Sequence, residues 1–248
     1  MSRVVAVIPA RMGSSRFPGK PLARLLGKPM LEYVYAGTRA CPLVDEVMVA
    51  TCDGVIAEAA AAFGARAVLT AASHERATDR VAEAVAGEPA EVVVMVQGDE
   101  PMVQPGMVAA VVDALRGDAS VGCVNLAAEI GSDEELRDPN TIKVVTTATG
   151  DALYFSRAPI PWDARRHPDR GGWLKQVCVI GFRRETLRAF TRLAPGRLEA
   201  RESIDMLRFL EHGLPVRIVE TAARTQAVDT VDDLARVSAL ISASEVRP

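Results

Sequence analysis

The run Val4-Val5-Ala6-Val7-Ile8 is apolar at every position, with no alternation, so it reads as a strand buried on both faces. Such a strand belongs in the middle of a sheet with helices on either side. It passes directly into Pro9-Ala10-Arg11-Met12-Gly13-Ser14-Ser15-Arg16-Phe17-Pro18-Gly19-Lys20-Pro21-Leu22, a loop with three cations, two glycines and two serines. In open parallel sheets, ligands bind at the carboxyl ends of the strands. Glycines let the backbone approach a ligand closely, and free N–H groups with Arg and Lys suit phosphate oxygens.

Two familiar phosphate loops are excluded. An ATPase P-loop needs four residues between its glycines and a hydroxyl after the lysine. Here five residues separate Gly13 from Gly19, and Pro21 follows Lys20. The G-x-G-x-x-G of dinucleotide-binding folds is absent too, which argues against a nicotinamide or flavin cofactor.

The rest of the chain alternates between two periodicities. Lys28 to Ala40 reads as a helix, Glu46 to Thr51 as a strand, and Val55 to Phe63 as a helix capped by Asp53 and ended by Gly64. A third strand is expected at Ala65 to Leu69. A helix at Val81 to Val85 is entered through Ser73–Arg80, where Thr78 or Asp79 could bond the first amides. Val92 to Val96 is the most apolar strand of the chain. Met107 to Leu115 follows as a helix, then Val121 to Leu126 and Thr141 to Val145 as strands around an acidic excursion at Ser132 to Asn140. Val216–Val219 reads as a strand. Thr230 with Asp233 has the form of a capping box. Strand and helix alternating at this spacing predict an α/β fold with a Rossmann-like, mostly parallel central sheet and helices on both faces. The 248 residues suit a single domain, with 130–190 expected to form a smaller inserted lobe.

Composition narrows the class. A formal net charge of −3 gives no reason to expect a nucleic-acid partner. No apolar run approaches the ~20 residues of a membrane helix, and no signal peptide is read at the start of the chain. Cys41, Cys52, Cys123 and Cys178 show no metal-ligand spacing with the three histidines. Reduced structural thiols and a cytoplasmic location are the expectation.

A second charged cluster follows Val92–Val96, in Gln97-Gly98-Asp99-Glu100-Pro101. Carboxylates at the end of a central strand, opposite a phosphate loop, suit Mg²⁺. The alternative is that Asp99 merely caps the helix starting near Gln104-Pro105.

The loop P-A-R-M-G-S-S-R-F-P-G-K-P-L resembles the signature of the sugar-activating cytidylyltransferases, above all the CMP-KDO synthetase (3-deoxy-manno-octulosonate cytidylyltransferase) family. The resemblance extends over about residues 3 to 243, through H-x-x-x-T-D-R at His74–Arg80, Q-G-D-E-P, Y-F-S-R at Tyr154–Arg157 and V-D-T-x-D-D-L at Val228–Leu234. It implies that the loop wraps the triphosphate of CTP, with Lys20, Arg11 and Arg16 as the catalytic cations and Ser14 as a substrate contact. It also implies Mg²⁺ on Asp99 and Asp229, with Thr78, Asp79 and Arg80 bordering the nucleotide. Gln97 and Arg157 would face the acceptor, and the smaller lobe would carry the contact of a homodimer. Tyr154 and Phe155 are read as core.

The likeness breaks on the acceptor side. The family's histidine and first tyrosine, which touch the sugar acid, align with Gln176 and Ile180, and its Glu-Gln pair with Asp205-Met206. The Ser-Gly of the His74 loop becomes Arg76-Ala77. Arg76 is thereby a candidate substrate contact or a solvent-facing cation. Arg165, Arg166 and Arg170 in the stretch 163–172 could belong to a lid. The expectation is Mg²⁺-dependent CMP transfer from CTP to an anionic small-molecule acceptor, with pyrophosphate released. Because polar contacts are lost, the acceptor is expected to be altered: a KDO analogue, or a small phosphonate such as phosphonoformate. The alternatives are an authentic CMP-KDO synthetase and a CTP-binding regulator without turnover.

Overall fold

The computed structural model describes residues 3–13, 16–163 and 172–245. In chain order the strands are β1 (Val4–Ala10), β2 (Arg24–Leu25), β3 (Lys28–Pro29), β4 (Glu46–Thr51), β5 (Arg66–Leu69), β6 (Val92–Val96), β7 (Cys123–Glu129), β8 (Lys143–Thr146), β9 (Ala152–Ser156), β10 (Leu174–Arg183) and β11 (Arg217–Thr221). The helices are α1 (Met30–Arg39), α2 (Gly54–Ala62), α3 (Ala77–Ala84), α4 (Pro105–Gly117), α5 (Asp133–Arg137), α6 (Arg184–Phe190), α7 (Arg197–Glu202), α8 (Met206–Glu211) and α9 (Val231–Glu245).

The main sheet has the order β11-β7-β10-β6-β1-β4-β5, with β8 and β9 added beside β10. Parallel pairs join β1 to β4 and β6, β4 to β5, and β7 to β11. Only β10 is reversed within this path, antiparallel to both β6 and β7. The sheet is therefore mixed but mostly parallel. Residues 130–190 contribute α5, β8, β9, β10 and α6, so part of that stretch belongs to the main sheet.

β1 is buried along its whole length because it feeds two cores. Val4, Ala6 and Ile8 pack on the side of α1, α2 and α4, with Leu31, Ile56 and Val108. Val5 and Val7 pack on the other side, with Val81 of α3, Phe190 of α6 and Phe209 of α8. This two-sided burial is what an unbroken apolar strand demands. The capping box at the last helix forms: Thr230 N donates to Asp233 Oδ2 at 2.8 Å, and Asp233 N donates to Thr230 Oγ1 at 3.2 Å. Gly64 sits at φ +81°, the left-handed conformation that ends a helix.

Several local expectations are corrected. Lys28 and Pro29 lie in β3, so the first helix begins only at Met30. Asp53 occupies the N-cap position of α2, and its main-chain carbonyl accepts from Ile56 N and Ala57 N, but its side chain makes no bond to that helix. Its Oδ2 instead accepts from the Met12 N–H, 2.8 Å away in the loop after β1. Neither Thr78 nor Asp79 caps α3, which starts at Ala77. Asp205 supplies the cap from outside the helix, its Oδ2 accepting from Thr78 N at 3.1 Å and Thr78 Oγ1 at 2.7 Å. Phe155 is fully buried as core, whereas Tyr154 reaches the carboxylate of Glu202 with its hydroxyl at 3.4 Å. The helix near Gln104-Pro105 takes Gln104 as its N-cap residue, which leaves Asp99 free of that duty.

Candidate active site

The loop after β1 is held from both ends. Asp53 anchors Met12, and Gly19 N donates to Met12 O at 3.1 Å. Gly19 lies at φ +74°, a conformation that needs glycine, and it launches a short 3₁₀ turn over Lys20–Leu22 with Pro21 buried. Lys20 is thus set on a constrained turn.

On the next strand, β6 ends in Gln97-Gly98-Asp99. A Cβ on Gly98 would lie 3.1 Å from Pro9 O, so the tight packing of the two strand ends favours glycine. The segment carrying Asp229 is tied to this point by the bond from Val228 N to Asp99 O at 2.9 Å. Asp99 and Asp229 are 130 positions apart in sequence yet share one cation. Lys20 Nζ is 2.9 Å from Asp99 Oδ2 and 3.2 Å from Asp229 Oδ1. Arg16 Nη2 adds a contact of 3.0 Å to Asp229 Oδ1, and Arg16 Nη1 also donates to the Asn140 side chain. Burial pulls the Lys20 ammonium toward neutrality, but Asp99 and Asp229 together outweigh it and raise its pKa above the ordinary value.

Glu100 points the other way. It is 3% exposed; its Oε2 accepts from Thr225 Oγ1 at 2.8 Å and its Oε1 from Cys178 N at 3.3 Å. Burial, reinforced by the neighbouring charge of Asp99, pushes its carboxyl up to about 7. Glu100 links β6, β10 and the loop before Asp229.

A cavity of about 1120 Å³ extends from Arg16, Asp99 and Asp229 toward Gln97, Arg157, Gln176 and Asp205. Met95, Ile180 and Met206 are its apolar wall at that end. Arg157 is fixed by three bonds: N to Glu202 Oε2 at 2.9 Å, Nε to Glu202 O at 2.6 Å and Nη1 to Pro139 O at 2.8 Å. The fully buried Lys143 gathers the carbonyls of Asp138, Thr141 and Arg157 at 2.7 to 2.8 Å. Gln176 Nε2 donates to Asn125 Oδ1 at 2.6 Å. The carboxyl of Asp205 is raised by burial, against the opposing bonds from Thr78.

Arg76, Asp79 and Arg80, also singled out from the sequence, do not line the cavity. Arg76 bonds Ser203 Oγ at 2.6 Å and lies 3.3 Å from Glu199 Oε1 and 3.9 Å from Asp205 Oδ1, so it is neither solvent-facing nor part of the cavity lining. Glu199 is fully buried and takes two bonds from Arg208, at 2.6 and 2.8 Å. Asp79 meets Arg208 at 3.3 Å, and Arg80 is buried with its guanidinium on Thr70 Oγ1. Arg11 is exposed at the end of β1. Ser14, Arg165, Arg166 and Arg170 lie outside the described residues.

Sequence reasoning passed over Asn125, Lys143, Glu199 and Glu202, and read Asp53 only as a helix cap, although these are the groups that hold the others in place. Asp53 carried a usable signal, since it follows strand β4 as Asp99 follows β6. Asn125 carried another, a lone amide inside an apolar strand.

Two carboxylates meeting one ammonium, with an arginine beside them, have the chemistry to hold a polyphosphate and its counter-cation. The sequence matches the cytidylyltransferase family over residues 5–230. The 3-deoxy-manno-octulosonate cytidylyltransferase of Geobacter metallireducens is 44% identical over 98% of this chain and 100% of its own length. That of Nitratidesulfovibrio vulgaris is 47% identical over 92% of each chain. A solved structure of CMP:2-keto-3-deoxy-manno-octonic acid synthetase complexed with CTP superposes with a TM-score of 0.90 at 39% identity, covering 98% of this chain and 100% of that one. A fold, a strand-end site and a full-length match all agree: the chain belongs to the cytidylyltransferase family, within its CMP-KDO synthetase group of CTP-dependent nucleotidyltransferases.

Proposed function

We propose that the protein transfers CMP from CTP to an acidic acceptor, with Mg²⁺ as cofactor and release of pyrophosphate. The convergence of Lys20, Asp99 and Asp229 is the observation that carries this reading. A single ammonium already bridges one oxygen of each carboxylate, so the pair suits a small hard cation whose other ligands are phosphate oxygens and water. Bound there, Mg²⁺ would neutralise charge on the triphosphate and polarise the α-phosphoryl group.

The chain's own side chains do the rest. Arg16 and Lys20 offset the charge that builds on the phosphoryl oxygens as the acceptor oxygen bonds the α-phosphorus and the bond to pyrophosphate breaks. Lys20 sits on a braced turn, so its charge is in position before the reaction and needs no reorganisation during it. Arg157, held by Glu202 and Pro139, offers a preset cation to the acid group of the acceptor. A hydroxyl acceptor must lose its proton on attack, whereas an ionised phosphonate need not.

Two acceptors have support. 3-Deoxy-manno-octulosonate is favoured by full-length relatives at 42–47% identity that bear its name. A smaller acid, such as phosphonoformate, has its support in Ile180 and Met206, which offer sugar hydroxyls no hydrogen-bond partner. Pyrophosphate release from CTP with Mg²⁺, measured with 3-deoxy-manno-octulosonate, its 8-amino analogue and phosphonoformate, separates them. CTP binding without pyrophosphate release on any acceptor would point to a regulator instead. A homodimer is also proposed, its support being Leu153, exposed on the edge strand β9, and the exposed Trp162 that follows it in the chain. A sedimentation measurement giving only monomer would remove it.

A further inference from the structure

The pairing of β7 with β10 slips between Val177 and Ile180, leaving Cys178 and Val179 as a bulge. Asn125 stands opposite this slip and is fully buried. A bulge leaves main-chain groups without ladder partners, and Asn125 supplies one. Its Nδ2 donates to Val177 O at 3.0 Å and to Leu126 O at 2.7 Å. Both N–H bonds of the amide are thereby used, so its orientation follows from chemistry: two carbonyls need the nitrogen, and only Oδ1 remains. That oxygen accepts from Gln176 Nε2 at 2.6 Å. Turning the Gln176 amide over would set two carbonyl oxygens against each other. Gln176 lines the cavity and Asn125 does not. Among the described residues no buried side-chain polar atom lacks a partner, so Gln176 Oε1, which takes part in no such bond, is open to solvent on a residue that lines the cavity.

We propose that Asn125 is a positioning residue that locks the Gln176 amide with its carbonyl oxygen toward the acceptor, so that this wall reads a hydrogen-bond donor, a hydroxyl or an amine, on the acceptor molecule. The inference rests on reading this end of the cavity as the acceptor site. The carboxylate of Asp205 lines the same end and is also an acceptor group. Next to the apolar Ile180 and Met206, an oxygen left without a donor loses water as well, which sharpens discrimination against a ligand lacking the group. The consequence is an acceptor class: an acid carrying hydroxyl or amino groups, in preference to a bare phosphonate.

The test is calorimetric titration of the full chain with Mg²⁺ and a non-hydrolysable CTP analogue, using 3-deoxy-manno-octulosonate and phosphonoformate as probes. The expected result is about tenfold tighter binding of the sugar acid, the worth of one well-placed hydrogen bond. Gln176→Met should bring that preference to within about twofold and leave the CTP analogue's affinity unchanged. Asn125→Leu should do the same although Gln176 is still present. If Asn125→Leu does not fold, Asn125→Ser, whose shorter side chain brings no oxygen to Gln176 Nε2, decides together with Gln176→Met. Equal or tighter binding of phosphonoformate, binding of neither acid, or a preference that survives Gln176→Met overturns the proposal. Failure of the CTP analogue to bind would instead defeat the reading of the whole site, and this inference with it.

Discussion

Replacing Lys20 with methionine keeps an unbranched apolar stem close to the lysine's and removes the charged end. At an effective dielectric of about 20, each contact of Lys20 Nζ, at 2.9 Å to Asp99 and 3.2 Å to Asp229, is worth about 5 kcal/mol before the cost of taking the charges out of water. Most of that is offset by desolvation, because the Lys20 side chain is only 13% exposed. The net loss on removing the shared partner is about 2–4 kcal/mol, and it leaves two carboxylates facing each other. K20M should therefore melt earlier than the parent protein in metal-free buffer. It should also recover more on addition of Mg²⁺, by about 1.4 kcal/mol at ten times the dissociation constant. Turnover should fall about 10²–10³-fold, the usual cost of removing one preset donor from a developing anion. Thermal melts with and without Mg²⁺, alongside pyrophosphate release, read all three effects. A K20M protein that melts like the parent, gains nothing extra from Mg²⁺ and keeps more than a tenth of its turnover would refute the shared-cation reasoning.

Three further outcomes are expected. Asp53→Ala frees the Met12 N–H and should raise KM for CTP about five- to tenfold with a stability loss near 1 kcal/mol, seen by initial rates and denaturant melts. Arg76→Met releases Ser203 and leaves Glu199 to Arg208 alone, so it should raise KM for the acceptor while KM for CTP stays within about twofold. Glu100 binds its proton more tightly folded than unfolded. Stability of the metal-free protein should therefore fall as pH rises from the ordinary 4.5 through about 7, and level off above that. Glu100→Gln should flatten that stretch of the stability–pH curve.

The framework was readable because it depends on local pattern. An unbroken apolar strand has to be central, and β1 is. A glycine-rich cationic loop at its end has to face the ligand edge of the sheet. The Thr230–Asp233 box is spelled out within four residues and forms as written. The supports were harder to read because their partners are remote in sequence. Asp53 looked like a helix cap, since its type and place fit one. A buried amide 41 positions away offered a bond of its own and took it. Arg76 looked like a candidate ligand group. Glu199 and Asp205, brought near by the packing of α7 and α8 against α3, claim its charge. Asn125 became meaningful only through a register slip, which depends on pairing with a strand 50 positions later.

The reversed strand β10 has a consequence for how this scaffold can change partners. Its main chain holds β6 and β7 together through a ladder indifferent to side-chain identity, while Gln176 and Ile180 line the cavity. On the proposed reading of that cavity, exchanging those side chains would rewrite what is recognised and leave Lys20, Asp99 and Asp229 standing, much as a new key blade can be cut on an unchanged bow.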